Sequence, residues 1–270
     1  MILNSENAND MNEMMLYGKT KGMILVKKFF PEFFIYDRII IFQTIDDWNK
    51  IANQLSNIFF LRADTKIKNK KGVYVVGRWS NKQHVKEFVS EVNKQNSKAV
   101  IVYLEEKILN QDELIYTQAA FNIHFDLNKY IYIDYVCPCF DASDITRGKA
   151  THQSWKIPFD EIAFLTSKTI NKYNTFTISD EAYQDSWKAR KIKMFSEHPN
   201  RVEEIKNIDN KFVKCPNSIL DLIIDKIILS IYIRINDLKI YVGNEFGVQF
   251  NITGIDTIEV YEINRPERIK

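Results

Sequence analysis

Residues 80–106 read SNKQHVKEFVSEVNKQNSKAVIVYLEE, which predicts a helix followed at once by a buried strand. Ser80 and Gln83 have the spacing of a capping box, which marks the start of a helix. The apolar residues that follow recur at the i, i+3, i+4, i+7 positions of one helix face: Val85, Phe88, Val89 and Val92. Residues 99–104 form a continuous apolar run of the kind found in central strands. This segment therefore predicts a chain that mixes helices and sheets.

The residues before this segment predict more strands and one helix. Residues 34–43 (FIYDRIIIFQ) contain an apolar block that favours a strand buried on both faces. Residues 23–29 (MILVKKF) are also predicted to be a strand, as are residues 58–62 and 72–77. Thr44-Ile45-Asp46-Asp47 resembles a capping box and predicts a helix that continues to Leu55.

The residues after it predict long helices and a strand-rich end. We expect a strand at 130–137, helices at 179–197 and 218–234, and strands at 238–242, 246–252 and 257–263. The whole order predicts an α+β fold of two lobes with mainly antiparallel sheets. Residues 1–20 are expected to be a mobile polar tail, residues 21–108 an N-terminal lobe with a basic loop, and residues 109–270 a C-terminal lobe.

Composition excludes several classes of protein. The 270 residues carry 37 basic and 35 acidic side chains, and this balance argues against a dedicated nucleic-acid binder. Three cysteines are too few for a disulfide framework. The most apolar stretch, residues 218–233, contains Asp221, Asp225 and Lys226, so it predicts a buried helix and no membrane span. With no signal-peptide pattern at the start, we expect a cytoplasmic protein.

A basic loop follows the predicted strand at 58–62. Arg62, Lys70 and Lys71 precede Gly72, and an arginine fork together with mobile lysines suits the oxygens of a phosphate. The alternative is a solvated loop whose lysines contact only water.

Two further segments place charged groups at strand ends. Glu105 and Glu106 end the strand at 99–104, where a carboxylate is able to accept from ribose hydroxyls. Arg147 lies with two aspartates in the loop CFDASDITRG, directly after the strand at 130–137. The alternatives are exposed acids at a strand end and a local Asp–Arg pair.

The last predicted strand ends on the most specific pattern, IEVYEINRP at residues 258–266. Alternation along a strand places Glu262 and Asn264 on one face, together with Val260. A carboxylate and an amide oxygen suit Mg²⁺ bound with nucleotide phosphates, and Arg265 is close enough in sequence to reach a phosphate. The alternative is a strand end that enters solvent.

The sequence E-I-N-R-P at residues 262–266 resembles a motif of the ATP-grasp superfamily, and the order of elements over about residues 20–268 is similar too. The early strand with Lys27 and Lys28, the segment from Arg62 to Lys71-Gly72, and DITRG at 144–148 all take part in this resemblance. It implies ATP and Mg²⁺ as cofactors. It assigns nucleotide binding to Lys28, Arg62, Lys71 and Glu105, catalysis to Arg147 and Arg265, and metal binding to Glu262 and Asn264.

The resemblance implies an ATP-dependent ligase-type enzyme, in which a substrate carboxylate becomes an acylphosphate that an amine or similar nucleophile attacks. The alternative is a non-catalytic nucleotide-binding or protein-interaction module on the same fold, because the neutral Gln249 stands where such enzymes often carry an acid. The N-terminal substrate domain common in these enzymes has no room, so a partner protein or a homodimer is a further expectation. A third hypothesis is an unrelated α+β protein that binds nucleic acid through residues 66–71 and 188–193.

Overall fold

The structure is a computed structural model that describes residues 3–4, 18–55, 59–64, 78–80, 84–95, 99–106, 117–136, 151–197, 199, 202–206, 214–253 and 257–264. It has an α+β fold with antiparallel sheets, as predicted. The chain divides into two compact units. The first comprises Met1–Glu113 and Glu262–Asn264, and the second comprises Leu114–Tyr261 and Arg265–Lys270.

Within the described residues, the first unit contains a five-stranded sheet and three helices. Its strands are β1 (Leu3–Asn4), β2 (Tyr36–Phe42), β3 (Phe59–Asp64), β4 (Arg78–Ser80) and β5 (Val100–Glu106), in the spatial order β1-β2-β5-β3-β4 with antiparallel neighbours. The helices are α1 (Gly18–Phe29), α2 (Ile45–Ile51) and α3 (Val85–Gln95). Short 3₁₀ turns lie at Pro31–Phe33 and Ala52–Gln54.

Local signals predicted most of this unit correctly. Thr44 accepts a hydrogen bond from the Asp47 amide, and the Asp47 carboxylate accepts from the Thr44 amide, so the capping box that starts α2 is confirmed. The predicted apolar face of α3 is buried, and β5 lies in the middle of the sheet. Residues 72–77 and Gln83 lie outside the described residues, so the strand and the capping box predicted there remain predictions.

The strand predicted at residues 23–29 is wrong, because these residues belong to α1, which begins inside the segment expected to be a tail. Met23, Ile24, Leu25 and Val26 are all buried, and a continuous apolar run of this kind fits a buried helix as well as a buried strand. Lys28 therefore lies in the last turn of a helix, with Nζ 5.8 Å from the centroid of the Phe29 ring.

Among the described residues, most of a six-stranded sheet lies in the second unit. Its strands are β6 (Thr117–Asp126), β7 (Tyr130–Val136), β8 (Gln153–Pro158), β9 (Asn174–Thr177), β10 (Glu245–Thr253) and β11 (Thr257–Asn264), in the order β11-β10-β6-β7-β8-β9. The helices are α4 (Ser167–Ile170), α5 (Asp180–Glu197), α6 (Val202–Lys206), α7 (Asn217–Ile223), α8 (Leu229–Ile233) and α9 (Ile235–Val242). A π-helical stretch, Ile224–Ile228, joins α7 to α8, and 3₁₀ turns lie at Phe159–Phe164 and Asn171–Tyr173.

The helices predicted at 179–197 and 218–234 and the strands predicted at 130–137, 246–252 and 257–263 are confirmed. The strand predicted at 238–242 is wrong, because these residues form the second half of α9. Leu238 and Val242 are buried one helical turn apart, and the helix ends at Gly243, whose φ of 83° is the left-handed conformation that glycine adopts at low cost.

No helix in the described part of the chain is long and apolar enough to cross a membrane.

Candidate functional site

In the first unit, the end of β3 is joined to the start of α1. The Asp64 carboxylate accepts hydrogen bonds from both the amide and the hydroxyl of Thr20, the former at 2.8 Å. Both residues are buried, and an acid at a helix start compensates the unpaired amides there. Arg62, two residues earlier on β3, lies on the same face of the sheet as Asp64 and is half-buried.

Glu105 lies on the opposite face of this sheet. It pairs with Arg38 of β2 across the strands, and its Oε2 is 3.9 Å from the Arg38 guanidinium. The same oxygen accepts a hydrogen bond of 2.8 Å from the hydroxyl of buried Tyr103. Arg38 also donates to the backbone carbonyl of Gln54, after α2, so this carboxylate is held on the side of α2.

The eight residues expected at the nucleotide site therefore fall into three groups. Arg62 lies on one face of the first sheet and Glu105 projects from the other, whereas Lys28 is an exposed residue in the last turn of α1. The backbone of Glu262 and Asn264 lies at the end of β11, but their side chains lie outside the described residues, as do Lys71, Arg147 and Arg265.

The second sheet has two different faces. One is buried and mainly apolar, and includes Phe121, Ile123, Phe125, Ile133, Trp155, Val248 and Phe250. Phe125 stacks on Phe246 of the neighbouring strand at 4.8 Å, and Phe121 stacks on Phe250 at 5.1 Å. This face supplies the core of the second unit together with buried residues of the helices such as Ile223, Ile227 and Ile231.

The other face carries polar side chains, and we call it the polar face. Residues directly opposite one another on paired strands share a face, so the strand register places four hydrogen-bonding side chains in one row: Gln249, Asn122, Asp134 and Ser154. The next row contains Gly247, His124, Tyr132 and Lys156. All four side chains of the first row are partly exposed.

Two titratable groups on the polar face have shifted pKa values. Burial raises the pKa of Asp134, opposed by the hydrogen bond of 2.6 Å that Ser154 Oγ donates to it. Burial lowers the pKa of His124, although the nearby carboxylates of Glu245, Asp126 and Asp134 oppose this shift. His124 thus favours the neutral form, in which one ring nitrogen is an acceptor.

Lys156 is held over two aromatic rings of this face. Its Nζ lies 4.1 Å from the ring centroid of Tyr130 and 5.6 Å from that of Tyr132. Both distances fall within the range of about 6 Å in which a cation is attracted to a ring face. The side chain is exposed, so its ammonium is both located and accessible.

Carboxylate, amide and hydroxyl oxygens are the donor types that Mg²⁺ prefers, so the first row fits this ion in chemistry. Within the described residues, no group of three or more His, Cys, Asp or Glu side chains is arranged to hold a metal. A cation at this row would thus need its amides as further ligands.

Sequence reasoning missed this face because it missed β6 and β8. The signal is the alternation Phe121, Ile123, Phe125 on one side and Asn122, His124, Asp126 on the other, which is typical of a half-buried strand. Trp155 and Ile157 alternate with Ser154 and Lys156 in the same way.

Comparison with known proteins gives no match: no protein-family model fits this chain, and no curated protein matches it significantly.

Proposed function

We propose that the chain is an ATP-dependent enzyme of the ligase type, which activates a carboxylate with Mg²⁺-bound ATP. The observation that carries the proposal is the row Gln249–Asn122–Asp134–Ser154 on the polar face. It offers oxygen ligands of the kind Mg²⁺ prefers on four neighbouring strands of one sheet.

The first unit carries its own group of basic residues. Arg62 lies two residues before the end of β3, near the Asp64–Thr20 junction, and the lysine-rich residues 66–71 follow shortly after in the sequence. Arginine and lysine are suited to bind the oxygens of a triphosphate. These basic residues of the first unit are thus a separate candidate for binding phosphate oxygens.

In the proposed reaction, a carboxylate oxygen attacks the γ-phosphorus of ATP and ADP leaves. An amine then attacks the acylphosphate carbonyl, and phosphate leaves as the new bond forms. Bound Mg²⁺ would offset charge on the phosphate oxygens. The oxygens of Asp134 and Asn122 would orient it.

Calorimetric titration with ATP, with and without Mg²⁺, tests the proposal. We expect micromolar binding that requires Mg²⁺ and that is lost in Glu262→Ala and weakened in Asp134→Asn. Asp160→Ala, which removes an exposed acid from a 3₁₀ turn, is the matched control and should bind as the wild type does. Absence of nucleotide binding at millimolar concentration would contradict the proposal.

The second candidate, a non-catalytic nucleotide-binding module on the same fold, is favoured by a single observation. The row contains only one carboxylate, Asp134, because position 249 is a glutamine. Amides bind Mg²⁺ more weakly than carboxylates do. ATP binding without detectable release of phosphate, even with a panel of carboxylates and amines, would favour this candidate over the enzyme.

A further inference from the structure

Lys156 is the only lysine or arginine among the described residues of the polar face, which otherwise carries the carboxylates of Asp126, Asp134 and Glu245. Within the described part of the chain it makes no ion pair and no hydrogen bond. Its ammonium contacts the rings of Tyr130 and Tyr132 instead. An exposed lysine normally samples many rotamers, so this double ring contact gives its charge a defined place.

Lys156 lies next to the row of oxygen-bearing side chains on the polar face. Lys156 follows Ser154 by two residues on β8, which is about 6.6 Å along a strand. Ser154 in turn donates to Asp134. A single positive charge therefore lies beside a carboxylate and two amides, on a face whose other charged groups would repel an anion.

We propose that Lys156 binds the phosphate oxygens of the nucleotide on the polar face, and that Tyr130 and Tyr132 position its ammonium for this contact. The inference rests on the proposed function, because it assigns a further residue to that site. An anion on this face needs a cation on each side, since carboxylates surround it. Lys156 supplies one, and Mg²⁺ at the oxygen row supplies the other.

Titrating Lys156→Met with ATP in the presence of Mg²⁺ tests the proposal. Loss of a charge-assisted hydrogen bond should weaken binding about 10- to 100-fold. Inorganic tripolyphosphate, which has neither base nor sugar, should compete with ATP on the wild type and lose affinity by a similar factor in the variant. Lys156→Arg should recover part of the loss. Lys168→Met, a change of an exposed lysine on α4, is the matched control and should bind normally.

The positioning role of the rings has its own variant. Tyr130→Leu keeps the charge of Lys156 but removes the ring that lies 4.1 Å from it, and should weaken ATP binding only about 2- to 5-fold. The thermal unfolding midpoints of both variants should stay close to that of the wild type, because these side chains lie on a partly exposed face.

The outcomes separate this inference from the function on which it rests. Wild-type affinity in Lys156→Met, or a loss for ATP without a loss for tripolyphosphate, would overturn the role of Lys156 and leave the proposed function standing. The same holds if tripolyphosphate does not compete on the wild type. A wild-type chain that binds no nucleotide would overturn both.

Discussion

The two sheets of this chain differ in how many of their faces are buried. In the first sheet, Ile40 and Phe42 point to the side of α2 and α3, and Ile39 and Ile41 point to the other side, yet all four are buried. In the second sheet, Ile131 and Ile133 are buried, whereas Tyr132 between them is 37% exposed. Consecutive residues of a strand are thus both buried in the first sheet, but alternate between buried and exposed in the second.

This difference decides where each unit can bind a ligand. A sheet covered on both faces can offer only strand ends and loops, and in the first unit the polar groups Glu105 and Asp64 indeed lie at the ends of β5 and β3. A sheet with one polar face offers a whole surface. The row from Gln249 to Ser154 spans four strands, or about 14 Å at the usual strand spacing.

Alanine substitutions at adjacent positions should give the largest effects and expose the contrast directly. Ile40→Ala and Ile41→Ala should each destabilise the first unit by about 2–5 kcal/mol, because each empties a buried site. Ile133→Ala should cost the second unit a similar amount, but Tyr132→Ala only about 1 kcal/mol. Hydrogen exchange of peptides from β2 and β7 measures the two units separately.

Two results would contradict this difference between the sheets. A near-neutral Ile41→Ala would mean that one face of the first sheet is open. A Tyr132→Ala variant as unstable as Ile133→Ala would mean that the polar face is covered in solution.

Substitutions of two aspartates test the same contrast between the two sheets, with smaller expected changes in stability. Asp64→Ala should destabilise the first unit by about 1–3 kcal/mol, because the amide and hydroxyl of buried Thr20 lose their acceptor. Asp134→Ala should cost less than about 1 kcal/mol, since water can replace the acceptor of the partly exposed Ser154 hydroxyl. Urea unfolding of both variants measures the difference.

Thr20→Val is the matched variant for the first site. It keeps the shape of the side chain and the amide bond to Asp64 but removes the hydroxyl, so about 1 kcal/mol should be lost. Equal costs for Asp64→Ala and Asp134→Ala would contradict the assignment of one aspartate to a buried junction and the other to an accessible surface.

Local sequence signals were sufficient where one segment determines its own structure. The cap at Thr44, the apolar face of α3 and the buried run of β5 all follow from spacing and capping within a dozen residues. The strands predicted from short apolar runs at residues 23–29 and 238–242 are wrong, because a few consecutive apolar residues fit a helix and a strand equally well.

The polar face could not be predicted from the sequence, for a different reason. Each of its strands shows alternation, but the row exists only through the register that pairs Gln249 with Asn122 and Asn122 with Asp134. Residues from β10 and β6 lie far apart in the chain, and one sequence does not reveal which positions face each other. The expected site residues Glu105 and Arg62 show the same limit, because nothing local places them on opposite faces.

The pH dependence of unfolding should show the smallest effect, and it should come from the polar face. Burial lowers the pKa of His124 below 6.5, so between the folded and unfolded values the unfolded chain binds more protons, and His124 makes stability rise with pH up to about 6.5. Burial raises the pKa of Asp134 above 3.8, so in the window above 3.8 the folded chain binds more protons, and Asp134 makes stability fall as pH rises.

Urea midpoints measured from pH 3.5 to 8 test both effects. In His124→Gln the midpoint should rise less with pH than in the wild type, and in Asp134→Asn it should fall less with pH. Unchanged profiles in both variants would mean that His124 and Asp134 are as hydrated in the folded chain as in the unfolded one. The polar face would then be more exposed to water than the structure shows.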